Sequence, residues 1–375
     1  MSDAAELRAI PDPPGITSAR TLPASWYADH AFFALERERV FRQGWVCAGV
    51  VDELPEPGAW VARTVGTVPV LVVRDRDGTL RAFLNVCRHR AAPLCDSEGS
   101  GAAIRCPYHA WIYRLDGSLS RAHGVGRPDG FDLDDHSLRP VAIATWRRLV
   151  FVHVADPGAE LDLGPLARAV DACPVEDMTL VRSETDERAF NWKVLLENYS
   201  ENYHTPFVHP EIDTTPTEDY PMVSDGPVLY AWDRPRRPGA PDERIRADLL
   251  PGEPGWEQLF LAGTDRPYDV GSYLTIWPNA MINVFPDAVL AMWVEPIGPA
   301  RTLVQRRLYL HPSSAERRDA IVAAHRLVHD QDVAICLAVQ RSHDAGLDAD
   351  GVLATFEERG VFWIHERLRD AVGAH

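Results

Sequence analysis

The sequence predicts an α+β protein: a β-rich module, then a larger domain in which an antiparallel sheet is covered by helices. Three observations predict it. Near Trp60 a short helical pattern over Trp26 to Phe41 gives way to β-branched runs. Two Asp-Gly pairs, Asp77-Gly78 and Asp116-Gly117, each lie between apolar runs, the signature of a hairpin turn. Beyond Asp156-Pro157-Gly158, a linker composition, strand and helix patterns mix. The first hairpin is expected from Val68 to Val73 and Thr79 to Val86, the second from Ala110 to Tyr113 and Ser118 to Arg121, with Leu149 to Val154 closing the module. In the second domain, strands are expected over Leu180 to Thr185, Ser272 to Ile276, Ala288 to Val294 and Thr302 to Leu310, and a long helix over Ala315 to Arg341. Pro216 to Pro254, rich in Pro, Asp, Glu and Arg, reads as a long excursion.

Bulk properties narrow the function classes. At 375 residues the chain is long for a single hydrophobic core, so two domains, or one large domain with a smaller one appended, are expected. A net charge of −17 repels nucleic acid and anionic membrane, and neither is expected as a partner. The first fifteen residues, with three prolines and acidic groups, have no apolar stretch of signal-peptide length, and no later run is long and uncharged enough to span a bilayer. A cytoplasmic protein is expected. The six cysteines are scattered, which favours ligand or core roles over a disulfide scaffold.

The sharpest local feature is a repeated Cys-His pair: Cys87-Arg88-His89, then Cys106-Pro107-Tyr108-His109, with 16 residues between His89 and Cys106. Each pair borders a predicted hairpin, so two loops can converge on one metal centre. Two thiolates on one iron and two imidazoles on the other make the mixed donor set of a Rieske [2Fe-2S] centre. Its potential lies at about −150 to +300 mV, against about −400 mV for all-Cys plant-type clusters. Tetrahedral zinc is the competing reading. Zinc sites usually pair Cys with Cys and His with His along the chain, whereas here each loop supplies one of each.

A second constellation runs from Asn191-Trp192-Lys193 to Pro210 and holds Glu197, Asn198, Glu201, His204 and His209. Glu201 and His204 are three apart and share a helix face, but His209 lies about 140° round from His204 on an unbroken helix. Pro206 disfavours α geometry at Thr205 and is expected to end the helix there, letting His209 return from an irregular segment. Two histidines lack one carboxylate to complete the facial triad that leaves positions open on iron(II). The candidate is Asp332, on an inward stripe read as Ile321, His325, Val328, Asp332, Ile335 and Val339; Asp330 and Gln331 fall off that line and read as solvated or helix-flanking. An unpaired carboxylate on a buried stripe is costly, so Asp332 needs a metal, a cation or several donors.

With these residues in view the chain resembles the Rieske non-haem iron oxygenases, the oxygenase (alpha) components of ring-hydroxylating and quaternary-amine systems. Cys87-Arg88-His89-Arg90 and Cys106-Pro107-Tyr108-His109-Ala110-Trp111 match the two halves of the cluster motif, and Asn191-Trp192-Lys193 through His209, with Asp332, resembles the iron-binding stretch. The resemblance implies one [2Fe-2S] cluster on Cys87, His89, Cys106 and His109, and one mononuclear Fe(II) on His204, His209 and Asp332. It implies a catalytic role for Glu201, linking His204 to His109 of a neighbouring subunit; the family more often carries Asp there, and some members acting on carnitine-like quaternary amines are similar in carrying Glu. It also implies O₂ activation, electrons from NAD(P)H through a separate flavin or iron-sulfur reductase, and a homotrimer. The domains expected are 1–40 as an N-terminal segment packing on the catalytic domain, 41–155 as the Rieske domain and 156–375 as the catalytic domain. No G-x-G-x-x-G turn for a nicotinamide or flavin is present, so the chain is not expected to oxidise NAD(P)H itself. A quaternary or tertiary amine, losing a methyl group or undergoing C–N cleavage, is the expected substrate, on the Glu201 resemblance and an aromatic supply of Tyr199, Tyr203, Tyr220, Trp232, Tyr273, Trp277 and Trp293. Hydroxylation of an aromatic ring or aromatic acid is the alternative. A Rieske electron carrier alone would leave the segment with His204 and His209 without a purpose.

Overall fold

The structure, a computed structural model, describes residues 14–373 except 125, 127–128, 172, 213–219, 233–270, 286 and 349. The chain divides into two units, one of Glu36–Leu161 and the other of the chain before Glu36 together with the chain from Asp162 onward.

In the first unit the strands β1 (Val46–Val50), β2 (Ala59–Val65), β3 (Val68–Arg74), β4 (Leu80–Leu84), β5 (Gly99–Ser100), β9 (Pro140–Trp146) and β10 (Leu149–His153) form a sheet in the order β1-β10-β9-β4-β3-β2-β5. A three-stranded sheet of β6 (Ile104–Arg105), β7 (Ile112–Tyr113) and β8 (Leu119–Arg121) accompanies it. Both Asp-Gly signals are turns: Gly78 (φ 86°) joins β3 to β4, and Gly117 (φ 87°) joins β7 to β8. At Gly117 only a residue without a Cβ fits, because that atom would lie 2.4 Å from the Phe83 ring.

The second unit is built on an antiparallel sheet in the order β11-β17-β16-β15-β14-β13-β12. Its strands are β11 (Thr179–Arg188), β12 (Met222–Asp225), β13 (Val228–Trp232), β14 (Ser272–Ile276), β15 (Ala280–Phe285), β16 (Ala288–Gly298) and β17 (Arg301–Leu310). Strand alternation gives it two chemically distinct faces. Tyr230, Trp232, Trp293 and Arg307 share one, while Tyr273, Thr275, Asn283 and Arg306 share the other. The second face meets helices: α1 (Trp192–Tyr199) docks through Tyr199 Oη on Asn283 at 2.6 Å and is followed by Ser200, whose hydroxyl lies 2.9 Å from that of Thr275. The long helix α3 (Arg318–Asp344) sets His325 against Phe285, and α4 (Arg359–Val372) stops at Gly373, which takes the left-handed φ of 73° that suits a helix C-terminus.

Several expectations are revised. The helix expected over Trp26 to Phe41 is three pieces, Ser25–Ala28, His30–Glu36 and a π-helical turn Arg37–Phe41. Within the excursion expected over Pro216 to Pro254, β12 and β13 are regular strands; the parts at 216–219 and 233–254 lie outside the described residues. Val228 to Trp232 is a continuous apolar run, buried throughout, and the Pro- and charge-rich surroundings mask it in the sequence. The expectation for the N-terminal segment falls in part on residues 1–13, also outside the described residues.

Candidate functional site

The first centre lies on two loops built alike. In one, the Cys87 amide donates to Ala92 O (2.8 Å) and the Ala91 amide to Cys87 O (3.1 Å); in the other, the Cys106 amide donates to Trp111 O (2.8 Å) and the Ala110 amide to Cys106 O (3.1 Å). Ala91 and Ala110 both sit at positive φ, 57° and 56°, a conformation L-residues rarely adopt and one that the two loops share at the same step after the cysteine. The cysteines are buried in the core of this unit beside Leu71, Phe83, Trp111 and Tyr113. The His89 and His109 rings lie 4.6 Å apart, and Trp111 stacks on His89 at 4.8 Å. Burial raises the Cys87 thiol pKa, and the nearby Cys106 thiol adds to the shift, so the Cys87 sulfur resists ionising without a cation. His109 Nδ1 is buried with no hydrogen-bond partner among the described residues. Two adjacent thiols and an unpartnered buried imidazole nitrogen fit a group that supplies positive charge and vacant coordination positions.

The second centre joins three elements. Asn191 caps α1, its side chain accepting from the Lys193 amide at 3.0 Å, and the helix ends at Tyr199 rather than running on through His204. The break therefore comes before Glu201, and Pro206 does not cause it. Thr205 is helical: it opens a single turn, α2 (Thr205–Val208), with Pro206 at a first-turn position where its missing N–H would be unbonded anyway. His204 and His209 flank this turn as its two caps. Glu201 reaches His204 across a tight bend rather than along a helix face: its carboxylate lies 2.5 Å from His204 Nδ1 and accepts from the backbone amides of Tyr203 and His204.

From α3, Asp332 Oδ1 stands 3.0 Å from His209 Nε2 and 3.5 Å from His204 Nε2. One ligand atom from each of His204, His209 and Asp332 lies within 4.8 Å of the others. Burial opposes charge on the histidines, yet hydrogen bonds to Asp332 and Glu201 outweigh it and raise His204 to about 9. His209 is likewise raised against burial by Asp332, and Asp332 is lowered against burial by both histidines. The triad behaves as a carboxylate seeking positive charge, which a divalent ion supplies in place of protons.

The stripe that led to Asp332 is drawn one step off. The buried line of α3 is Ile321, His325, His329, Val333, Cys336 and Gln340, while Ile335 and Val339 are 40% and 41% exposed. Apolarity misleads because this inner face is polar: Gln340, for example, accepts from the Asn191 amide at 2.8 Å. Asp332 lies at the margin of the line and is half-buried. Gln331, read as solvated, places Oε1 2.7 Å from His209 Nδ1, whereas Asp330 is exposed and pairs with Arg326. An amide next to a ligand candidate on a helix carries no periodic signal, so pattern reading passes over it. Nor do the seven aromatics gather into one cage. Trp232 and Trp293 lie on one sheet face and Tyr273 on the other, Trp293 sits under Arg307, and Tyr203 is half exposed.

The family described as Ring hydroxylating alpha subunit (catalytic domain) matches residues 175–374, and a Rieske [2Fe-2S] domain matches residues 44–132. The chain belongs to this family. It is a Rieske-type non-haem iron oxygenase whose cofactors are one Rieske cluster and one mononuclear iron, and as an oxygenase subunit it depends on a reductase partner. The oxygenase is similar to the glycine betaine monooxygenase oxygenase subunit of Pseudomonas aeruginosa, 30% identical over 94% of this chain and 90% of that protein. It is also similar to the carnitine monooxygenase oxygenase subunit of Escherichia coli, 30% identical over 93% of each. Its fold matches a solved structure of a quaternary ammonium Rieske monooxygenase, with a TM-score of 0.77, 24% identity and coverage of 97% of this chain and 100% of that one. No helix among the described residues is long and apolar enough to cross a membrane.

Proposed function

We propose that the chain is the terminal oxygenase of a quaternary-amine N-demethylating or C–N-cleaving system, working with an NAD(P)H-dependent flavin or iron-sulfur reductase. The convergence of His204, His209 and Asp332, with both Nε2 atoms turned towards one carboxylate oxygen, carries the reading. In it these three hold the mononuclear iron, and Cys87, His89, Cys106 and His109 hold the cluster. Bound there, iron(II) supplies the redox chemistry of O₂ activation.

The side chains hold and orient. Glu201 accepts the Nδ1–H of His204, holding the proton on Nδ1 and leaving the Nε2 lone pair free for the metal, and Asp332 balances charge where burial makes an unpaired cation costly. For a trimethylammonium substrate the balanced outcome is R–N(CH₃)₃⁺ + O₂ + 2 e⁻ + 2 H⁺ → R–N(CH₃)₂CH₂OH⁺ + H₂O. The C–N bond of that product then breaks, giving R–N(CH₃)₂, formaldehyde and H⁺. The relatives' names, glycine betaine and carnitine monooxygenase, support this class, since both substrates are trimethylammonium carboxylates.

Glu201 is assigned the further role of coupling His204 to His109 of the partner subunit in a homotrimer, in the cytoplasm. The boundaries 1–40, 41–155 and 156–375 are assigned as set out from the sequence. Lys193 Nζ bonding Trp26 O at 2.7 Å, with Tyr27 beneath it, supports placing the N-terminal segment with the catalytic domain. The test supplies the purified oxygenase with a surrogate reductase, NADH and a panel of betaines, carnitine and aromatic acids. O₂-dependent formaldehyde or cleaved amine from the quaternary amines is expected; oxygenated product from the aromatic acids alone would replace this reading with ring hydroxylation.

A further inference from the structure

We propose that Gln331 is a positioning residue for the metal site, fixing the tautomer and ring plane of His209 through its amide oxygen. The inference rests on the reading of His204, His209 and Asp332 as the iron ligands. Both histidines turn Nε2 towards Asp332, and each has Nδ1 held from behind by a separate acceptor: Glu201 for His204 at 2.5 Å, Gln331 for His209 at 2.7 Å. A neutral imidazole has one N–H and one lone pair. An acceptor on Nδ1 therefore keeps the proton there and the lone pair on Nε2, where a metal needs it.

Gln331 and Asp332 are neighbours on α3, so their side chains leave the helix about 100° apart. Between them they bracket the His209 ring, one at each nitrogen. Any turn of His209 about its ring axis breaks at least one of these contacts, and the ring is almost fully buried, away from the bulk solvent that would replace a lost partner. The two acceptors differ in charge. Glu201 is an anion that makes His204 the stronger donor, whereas Gln331 orients His209 without adding negative charge at the metal. The site therefore keeps one ligand carboxylate and one carboxylate behind a ligand, rather than two behind the histidines.

Cobalt(II) binding to cluster-loaded protein, its mononuclear site first emptied by a chelator, tests this by calorimetry and by the EPR signal of the bound ion. Gln331→Leu keeps the shape and removes the acceptor; it is expected to weaken Co(II) about 10- to 100-fold and to alter the EPR signal, with the cluster absorption unchanged. Gln331→Glu keeps an acceptor oxygen and is expected to bind Co(II) at least as tightly as wild type. Wild-type affinity in Gln331→Leu, or equally weak binding in Gln331→Glu, overturns the proposal; should the leucine variant fail to fold, the glutamate variant decides alone. His209→Ala separates the two layers of inference. If it binds Co(II) like wild type the ligand assignment fails, and if it loses binding while Gln331→Leu does not, only the role of Gln331 fails.

Discussion

The Tyr113 hydroxyl accepts the Arg88 amide at 2.9 Å and lies 3.3 Å from Cys87 Sγ, so its own proton is free to point at the sulfur. Hydrogen bonds to ligand sulfur stabilise the reduced, more negative state of a cluster and raise its potential. With Cys87 as a cluster ligand, Tyr113→Phe removes one such bond, worth about 1 kcal/mol or roughly 40 mV for one electron. A fall of that size is expected in a redox titration followed by visible absorption, with cluster content unchanged; an unmoved potential would mean that the hydroxyl serves the Arg88 amide alone. The candidate ligands at both centres were legible as residue types at fixed spacings, because metal chemistry restricts its donors to Cys, His and carboxylate. Tyr113 and Gln331 were not, since what brings each to a cysteine or histidine is a strand or helix register set only once the chain has folded.

At the level of elements, strands with a buried alternating or apolar pattern could be read nearly to the residue, and Ser272–Ile276 is a case in point. Helix α3 shows where such reading stops. Its inner face carries His325 and His329, both held down at about 4, by burial first and then by the charge of Arg306. A folded-state pKa below the unfolded value of about 6.5 means that the native state binds fewer protons. The stability tied to these neutral rings is complete above about pH 6.5 and declines as pH falls towards 4, by up to about 3 kcal/mol per ring. Urea unfolding of the holoprotein at a series of pH values should show this slope, and His325→Gln should flatten part of it. Equal slopes in wild type and variant would contradict the assignment of a neutral, buried His325.

For the whole molecule, the two-domain α+β architecture followed from a change of hydrophobic period part-way along the chain. The joining of His204, His209 and Asp332 from segments more than 120 residues apart in sequence followed only from donor chemistry and family resemblance. The structure brings these three together through a helix break at Ser200, a one-turn α2 and a polar-faced α3, none of which was read correctly in detail. What matters for function is that a single polypeptide builds two iron environments from different donor sets. Iron and acid-labile sulfide, counted on anaerobically purified wild type and on Asp332→Ala, test that most directly. The expected result is about three irons and two sulfides per chain in wild type, and about two irons with the same sulfide and an unchanged cluster spectrum in the variant. Zinc in place of iron, or all three irons retained without the Asp332 carboxylate, would contradict it.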